Sequence, residues 1–312
     1  MHNTQNVFPA DEPAIGLANA ERKVAQSRPD ESPTLVIYPA SGWQFINFRE
    51  LWRSRELLYF LAWRDVQVRY KQTLLGVAWA VLQPAMMMVV FTVFFSRLAK
   101  VPSNNFPYPV FVYAGLLPWT FFATAIANAA NSVVGSEQLV SKVYFPRLIV
   151  PFASVGAAIV DFAVAFSLLI GLMLYYGIVP GAGLLLVPAL VFLMTLAATG
   201  VGTLLAALTV AYRDFRYVVP FLVQLWMFAT PTIYMRVLSN SPDEAGSTLA
   251  PIIRVMLLAN PLTALIAAFR SAVLGGPIDW ISLAVSATIT LILFAAGCLY
   301  FRRVEDQFAD II

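Results

Sequence analysis

A single cysteine, Cys298, and a single histidine, His2, stand in 312 residues. One cysteine leaves no intrachain disulfide to form. One histidine, lodged in a polar tail, excludes a histidine-based metal site or catalytic triad, and an all-carboxylate or Ser-Lys site is left without support. No G-x-x-x-x-G-K-[ST] occurs, so the usual cradle for nucleotide phosphates is missing and any uphill transport draws its energy from another polypeptide. Charge is scarce as well. Charged residues make up 12% of the chain and hydrophobic ones 60%, against roughly 25% and 45–50% in soluble domains. That balance belongs to membrane proteins. A net charge of +3, scattered along the chain, is too small to hold nucleic acid and reports topology instead. No apolar run near the start offers a cleavable signal peptide.

What is present is apolar sequence in blocks. Residues 1–34 carry Pro9, Pro13, Pro29 and Pro33 among Ser, Gln and acids, and are expected as a disordered cytoplasmic tail. About 20 apolar residues cross a bilayer, and charge-free gaps of that size mark the spans. There are 25 uncharged residues between Lys71 and Arg97, 36 between Lys100 and Glu137, 19 between Arg216 and Arg236 and 22 between Asp279 and Arg302. With the break at "GIVPGAG", the pattern predicts an all-α integral membrane protein with six transmembrane helices, at 74–96, 110–133, 151–176, 184–211, 217–235 and 280–301. They form one membrane domain, 74–302, followed by a cytoplasmic tail, 303–312. With the N-terminus inside, 15 Lys and Arg fall on the cytoplasmic side and 5 outside, so both termini are expected in the cytoplasm.

Two segments fit neither span nor loop. Residues 49–71, within a cytoplasmic region 35–73, repeat Trp52, Tyr59, Trp63, Val66 and Tyr70 at near-helical spacing with Arg and Asp between them. This pattern predicts an amphipathic helix lying in the inner membrane surface, the alternative being a solvated linker helix. Residues 251–276 are apolar but interrupted by Arg254, Arg270 and an Asn-Pro pair. Asn260 as N-cap, Pro261 in the first turn and Gly275 with Gly276 as stops predict short helices that dip in from outside and return.

Asp161 is alone among the six spans, where an acid costs about 2.5–3.5 kcal/mol and proton-coupled carriers show relays. It is either a contact with substrate or hinge, or a carboxyl bonded to a neighbouring helix. Ala198, Gly202 and Ala206 stand four apart, a small-residue stripe for close helix packing, within the chain or between two copies. The cytoplasmic loops "SEQLVSKVYFPR" and "YRDFR" mix Arg with Tyr and Phe, residues favoured where proteins meet.

Five stretches, "RDVQVRYKQTLLGVAWAVLQP", "GLLPWTFFATAIANAANSVV", "LVSKVYFPRLIVP", "AYRDFRYVVPFLVQLWMFATPTIY" and "ANPLTALIAAFRSAVLG", run in consistent order. Together they resemble the permease subunit of polysaccharide-exporting ABC transporters of the O-antigen (Wzm) type, over residues 45–302. The resemblance implies a permease that dimerises and sits on two copies of a separate ATPase, which binds the ATP and Mg; the permease needs no cofactor and no metal. It implies that the first loop is a coupling helix, with Glu137, Lys142, Tyr144, Phe145 and Arg147 as contacts, and that Tyr212, Arg213, Asp214, Phe215 and Arg216 form a second contact. Residues 49–71 match the interface helix of such proteins and 251–276 the outer gate helices. The implied cargo is a polymer on undecaprenyl pyrophosphate, for which Arg64, Arg69 and Lys71 are the candidate cations. Trp79, Trp119, Phe122, Asp161 and Trp226 are the candidates for lining its path. The expectation is therefore export of O-antigen across the bacterial inner membrane. The same architecture carrying capsule, teichoic acid or a hydrophobic drug is the alternative. A membrane glycosyl or acyl transferase is disfavoured for want of an acidic or histidine cluster at one membrane face.

Overall fold

A helix needs about 20 residues to cross the roughly 30 Å hydrocarbon layer, and four in this chain exceed that length. The computed structural model describes residues 48–71, 73, 76, 78–94, 106–143, 145–179, 181–230, 257 and 259–308, all within the unit Trp43–Ile312. No strand occurs among them. The helices are α1 (Phe48–Arg53), α2 (Arg55–Tyr70), α3 (Ala78–Thr92), α4 (Tyr108–Gly135), α5 (Glu137–Lys142), α6 (Ile149–Tyr175), α7 (Val187–Ala211), α8 (Phe215–Ala229), α9 (Pro261–Leu274) and α10 (Trp280–Val304). The long apolar ones are α4, α6, α7 with the preceding 3-10 turn Ala182–Leu186, and α10. Helices α3, α8 and α9 are apolar but hold 15, 15 and 14 residues, about 21–23 Å at 1.5 Å per residue.

Helix α4 is the centre. Val110, Tyr113, Leu116, Ala125 and Ile126 are fully buried, and α3, α6, α7, α8 and α9 all pack around it. The Tyr113 hydroxyl donates to the Ala165 carbonyl of α6 at 2.9 Å. Helix α10 lies along α7 with no room for side chains between them. A Cβ on Gly200 would fall 2.6 Å from the Phe294 Cα. On α4, Ala129 fills the place a Cβ of Gly202 would take, 2.7 Å away. Ala198 and Ala206 are fully buried beside it. The small-residue stripe therefore packs α7 inside the protomer.

The amphipathic segment forms two helices, broken at Ser54. Helix α2 rests on α6, where Ala62 meets Gly156 at 3.6 Å from an added Cβ. It buries Leu61 and leaves Tyr59, Phe60 and Trp63 exposed, as Trp52 is on α1, the surface expected to enter lipid.

The caps read from sequence are where they were expected. Asn260 accepts from the Leu262 amide, Pro261 opens α9, and Gly275 ends it with φ 76°, a left-handed conformation that glycine adopts without strain. Asn260 does more. Its Oδ1 accepts from the Trp226 indole at 3.1 Å and its Nδ2 donates to the Thr230 hydroxyl at 2.7 Å, so the start of α9 is tied to the end of α8. Asn260→Leu loses the cap and these bonds together and is expected to lower stability by about 2–3 kcal/mol. Thermal unfolding of the detergent-solubilised protein measures it, with Asn260→Asp retaining the cap.

Span ends differ from the sequence reading by a few residues. Helix α3 begins at 78 rather than 74, and α8 ends at 229 rather than 235. The tail 303–312 is not loose where it is described: α10 runs to Val304, a 3-10 turn follows, and Phe308 is fully buried edge-on against Phe301 at 5.2 Å. Residues 1–34, 95–105 and 231–256 lie outside the described residues, as do the expectations that fall on them.

Candidate functional site

Two polar regions stand at the α2 end of the helices. The first is built on α5. Helix α4 stops at Ser136, and α5 follows with Glu137 in its first turn and Lys142 in its last, charges that complement the helix dipole. Val140 is buried, while Glu137, Gln138, Ser141 and Lys142 are exposed. Val140, with the half-buried Leu139, therefore anchors α5, and its polar side chains face outward. The anchoring core joins Val140 to Leu61 of α2, Phe145, Leu148 and Phe301, so α5, the interface helix and the end of α10 are packed as one body.

The short connection between α7 and α8 comes to the same place. Arg213, Asp214 and Arg216 are exposed, and Phe215 is half-buried beside the Tyr212 ring at 6.2 Å. A cleft of about 380 Å³ is lined by Glu137, Arg213, Arg216 and Tyr217 together. Sequence reasoning treated these loops as separate contacts; the fold makes them one surface.

Phe145 and Arg147 behave otherwise. Phe145 is buried, and Arg147, half-buried, donates to the carbonyl of Glu305 just past α10. Both pack inward here and brace the loop against the C-terminal segment. An aromatic-basic loop carries the same letters whichever way it points. Tyr144 lies outside the described residues.

The second region lies between α2 and α6. Arg64 pairs with Asp65 at 2.8 Å and reaches the Ser136 hydroxyl at 3.4 Å; Ser154 of α6 donates to the other Asp65 oxygen at 3.1 Å. Arg69 pairs with Asp161, and the Tyr70 hydroxyl donates to the same carboxylate. Burial pushes the Tyr70 hydroxyl above the usual tyrosine value, with Arg69 pulling the other way, so it remains a donor. Of the candidate cations, Arg64 and Arg69 thus have carboxylate partners, and Lys71 is exposed at the end of α2. Asp161 is the bonded carboxyl of the two readings left open. It also lines a cavity of about 350 Å³ with Trp79, Gln83, Thr120, Phe121, Asn128 and Phe162.

The other aromatic candidates are elsewhere. Trp119 and Phe122 are buried within the protomer, and Trp226 packs edge-on against Phe122 at 5.2 Å while bonding Asn260. They hold α4, α8 and α9 together and do not border this cavity. Thr120, Thr124 and Asn128 stand four apart on α4 and give it the polar face that borders the cavity, with Trp119 and Phe122 off that lining. Asn128 and Asn131 were overlooked, although amides among alanines within a span were the available signal.

Comparison with known proteins narrows what this scaffold is. An O-antigen export system permease protein, RfbA, of Myxococcus xanthus is 30% identical over 265 residues, 85% of this chain and 98% of that protein. A protein of the same description from Klebsiella pneumoniae is 25% identical over 258 residues, 82% of this chain and 95% of its own. The polysialic acid transport protein KpsM of Escherichia coli is 23% identical over 252 residues, 78% of this chain and 91% of its own. The pattern of the ABC-2 type transporters matches residues 56–274, from the interface helix through α9. Four of the described helices are long and apolar enough to span, three of them within that match and α10 just after it, and the chain is a multi-pass membrane protein of the ABC-2 type transporter family.

Proposed function

We propose that the protein is the permease of an exporter of undecaprenyl-pyrophosphate-linked O-antigen in the bacterial inner membrane, working as two copies on two copies of a separate ATPase. The relatives named for O-antigen export support the cargo. The observation that carries the mechanism is the single exposed surface made by α5 and the 213–216 connection, rigidly backed by the interface helix through Val140 and Leu61. A body packed in this way transmits displacement instead of absorbing it. When ATP and Mg close the ATPase pair, α5 moves, α2 and the adjoining spans move with it, and the gap between permeases changes. In this reading α3 and α8 are the remaining two of six spans. Helix α9 is the outer re-entrant gate, and both termini are cytoplasmic.

Capsular polysaccharide is the second cargo, favoured by the relative named for polysialic acid transport. The test uses the intact transporter. Arg213 and Arg216 are exposed and bonded to nothing that holds the fold, so Arg213→Glu/Arg216→Glu should purify as folded protein. Polymer-stimulated ATPase activity of the assembled complex should fall about tenfold or more, the usual weight of reversed charges at an interface. Unchanged stimulation refutes the docking surface. Loss of the long lipopolysaccharide ladder on gene deletion identifies O-antigen, and an intact ladder with lost capsule identifies the second cargo.

A further inference from the structure

Two cavities beside α2 share a wall. The wider, about 660 Å³, lies between α2 and the adjoining ends of α4 and α6, lined by Arg64, Asp65, Asn131 and Ser154. The deeper is the 350 Å³ cavity among α3, α4 and α6, within the roughly 300–1,000 Å³ of small-molecule sites. Arg69 and Asn128 border both. The pair therefore forms a stepped path from the outside of α2 into the helices.

Three features set the chemistry of what fits the deeper chamber. The first is charge. Arg64 with Asp65 and Arg69 with Asp161 close as ion pairs, so the four charges cancel and an incoming anion would have to displace a carboxylate already in place. The second is hydrogen bonding. The Asn128 Nδ2 is buried without a partner among the described residues, a cost that a ligand oxygen would remove. Gln83 adds a second amide on the opposite wall. The third is the apolar surface: Trp79 is half exposed, and Phe121 meets Phe162 edge-on at 5.4 Å, so aromatic rings flank the amides. A phosphate has no use for the rings, and an acyl chain leaves Asn128 unpaired. A neutral ring with apolar faces and a hydroxyl rim satisfies all three.

The geometry points to this cavity as a binding site for a neutral sugar unit of the transported glycan, with the ring against Trp79 and Phe121 and hydroxyls toward Asn128, Gln83 and the Asp161 carboxylate. It rests on the polysaccharide-export reading and moves recognition from the carrier's phosphates to its sugar, on the permease protomer itself. The wider cavity is its entrance.

Saturation-transfer NMR tests it on the full-length protein in nanodiscs. The probes are methyl glycosides of neutral hexoses and N-acetylhexosamines, with inorganic pyrophosphate as competitor. At least one glycoside should receive saturation. Trp79→Ala and Gln83→Leu, whose wild-type side chains are exposed and carry little of the fold, should weaken that binding about fivefold to tenfold. Tyr175→Ala, at the far end of α6, should not, and pyrophosphate should leave the signal in place. Transfer that is absent, indifferent to both cavity variants or abolished by pyrophosphate overturns the assignment. In a deletion strain, surface glycan restored by wild type but poorly by Trp79→Ala and Gln83→Leu supports it. Full restoration by both variants overturns this site alone, whereas glycan unaffected by the deletion overturns the export reading.

Discussion

Replacing Gly297 with leucine is expected to leave no recoverable folded protein, and Gly200→Ala to lower the apparent unfolding temperature by roughly 6–12 °C, the shift for about 3 kcal/mol. The reason is contact between backbones. A Cβ on Gly297 would lie 2.8 Å from the Gly200 carbonyl carbon and 2.9 Å from the Thr203 hydroxyl oxygen. A Cβ on Gly200 would lie 2.6 Å from the Phe294 Cα and 2.8 Å from the Leu293 carbonyl carbon. All but the Thr203 hydroxyl are main-chain atoms of α7 and α10, which cannot rotate aside as a side chain does. Alanine gains about 1 kcal/mol of helix propensity over glycine, and overpacking that forces helices apart costs about 1–3 kcal/mol or more, so the clash wins. Between these helices there is no hydrophobic drive to make good the loss, since lipid tails solvate a separated helix as well as a neighbour does. Gly171 on α6 supplies the contrast. Nothing lies within 4 Å of its added Cβ, and Gly171→Ala should leave stability unchanged or slightly raised. Size-exclusion profiles after a temperature ramp separate the three variants, and an undisturbed Gly297→Leu would mean that α7 and α10 do not cross here.

The same helices show where sequence was informative and where it was not. Local signals survived folding: Asn260, Pro261 and Gly275 bound α9, and Glu137 with Lys142 bound α5, because caps and turn residues act over three or four positions. Charge-free gaps located α4 and α10, and the "GIVPGAG" break in an apolar run separated α6 from α7, for a similar reason, a bilayer imposing length directly. Direction was the missing quantity. Trp119 and Phe122 on α4 looked like path-lining aromatics as long as the stripe Thr120, Thr124 and Asn128, which borders the cavity, went unread. Arg147 and Lys142 looked alike in one basic loop, yet Arg147 turns inward to the Glu305 carbonyl 158 positions away, a contact no local window contains. The site formed likewise. Glu137 and Arg213 share a cleft only because α4 and α7 end side by side.

Asp161 and Arg69, 92 positions apart, are the sharpest case, and a double-mutant cycle across them is expected to show strong coupling. Asp161→Leu strands the Arg69 guanidinium and the Tyr70 hydroxyl against an apolar helix. Arg69→Leu leaves a carboxylate in a span with only Tyr70 to serve it. Removing one partner from a fully buried pair costs about 3–5 kcal/mol. Here the Arg69 and Asp161 side chains are 31% and 17% exposed, so water screens part of the field and about 2 kcal/mol is the expected loss for each single change. Arg69→Leu/Asp161→Leu removes both charges and should return to within about 1 kcal/mol of wild type, a coupling of about 3–4 kcal/mol. Two additive losses would mean that the ion pair does not form in the membrane. Glycan export separates the second role of the aspartate from the first. The double variant regains the fold but presents leucine where the cavity offered a carboxylate, so a surface glycan that stays low after stability recovers assigns Asp161 to the ligand as well as to the interface helix. Full export by the stable double variant would leave Asp161 as a fastening of α2 to α6 and nothing more.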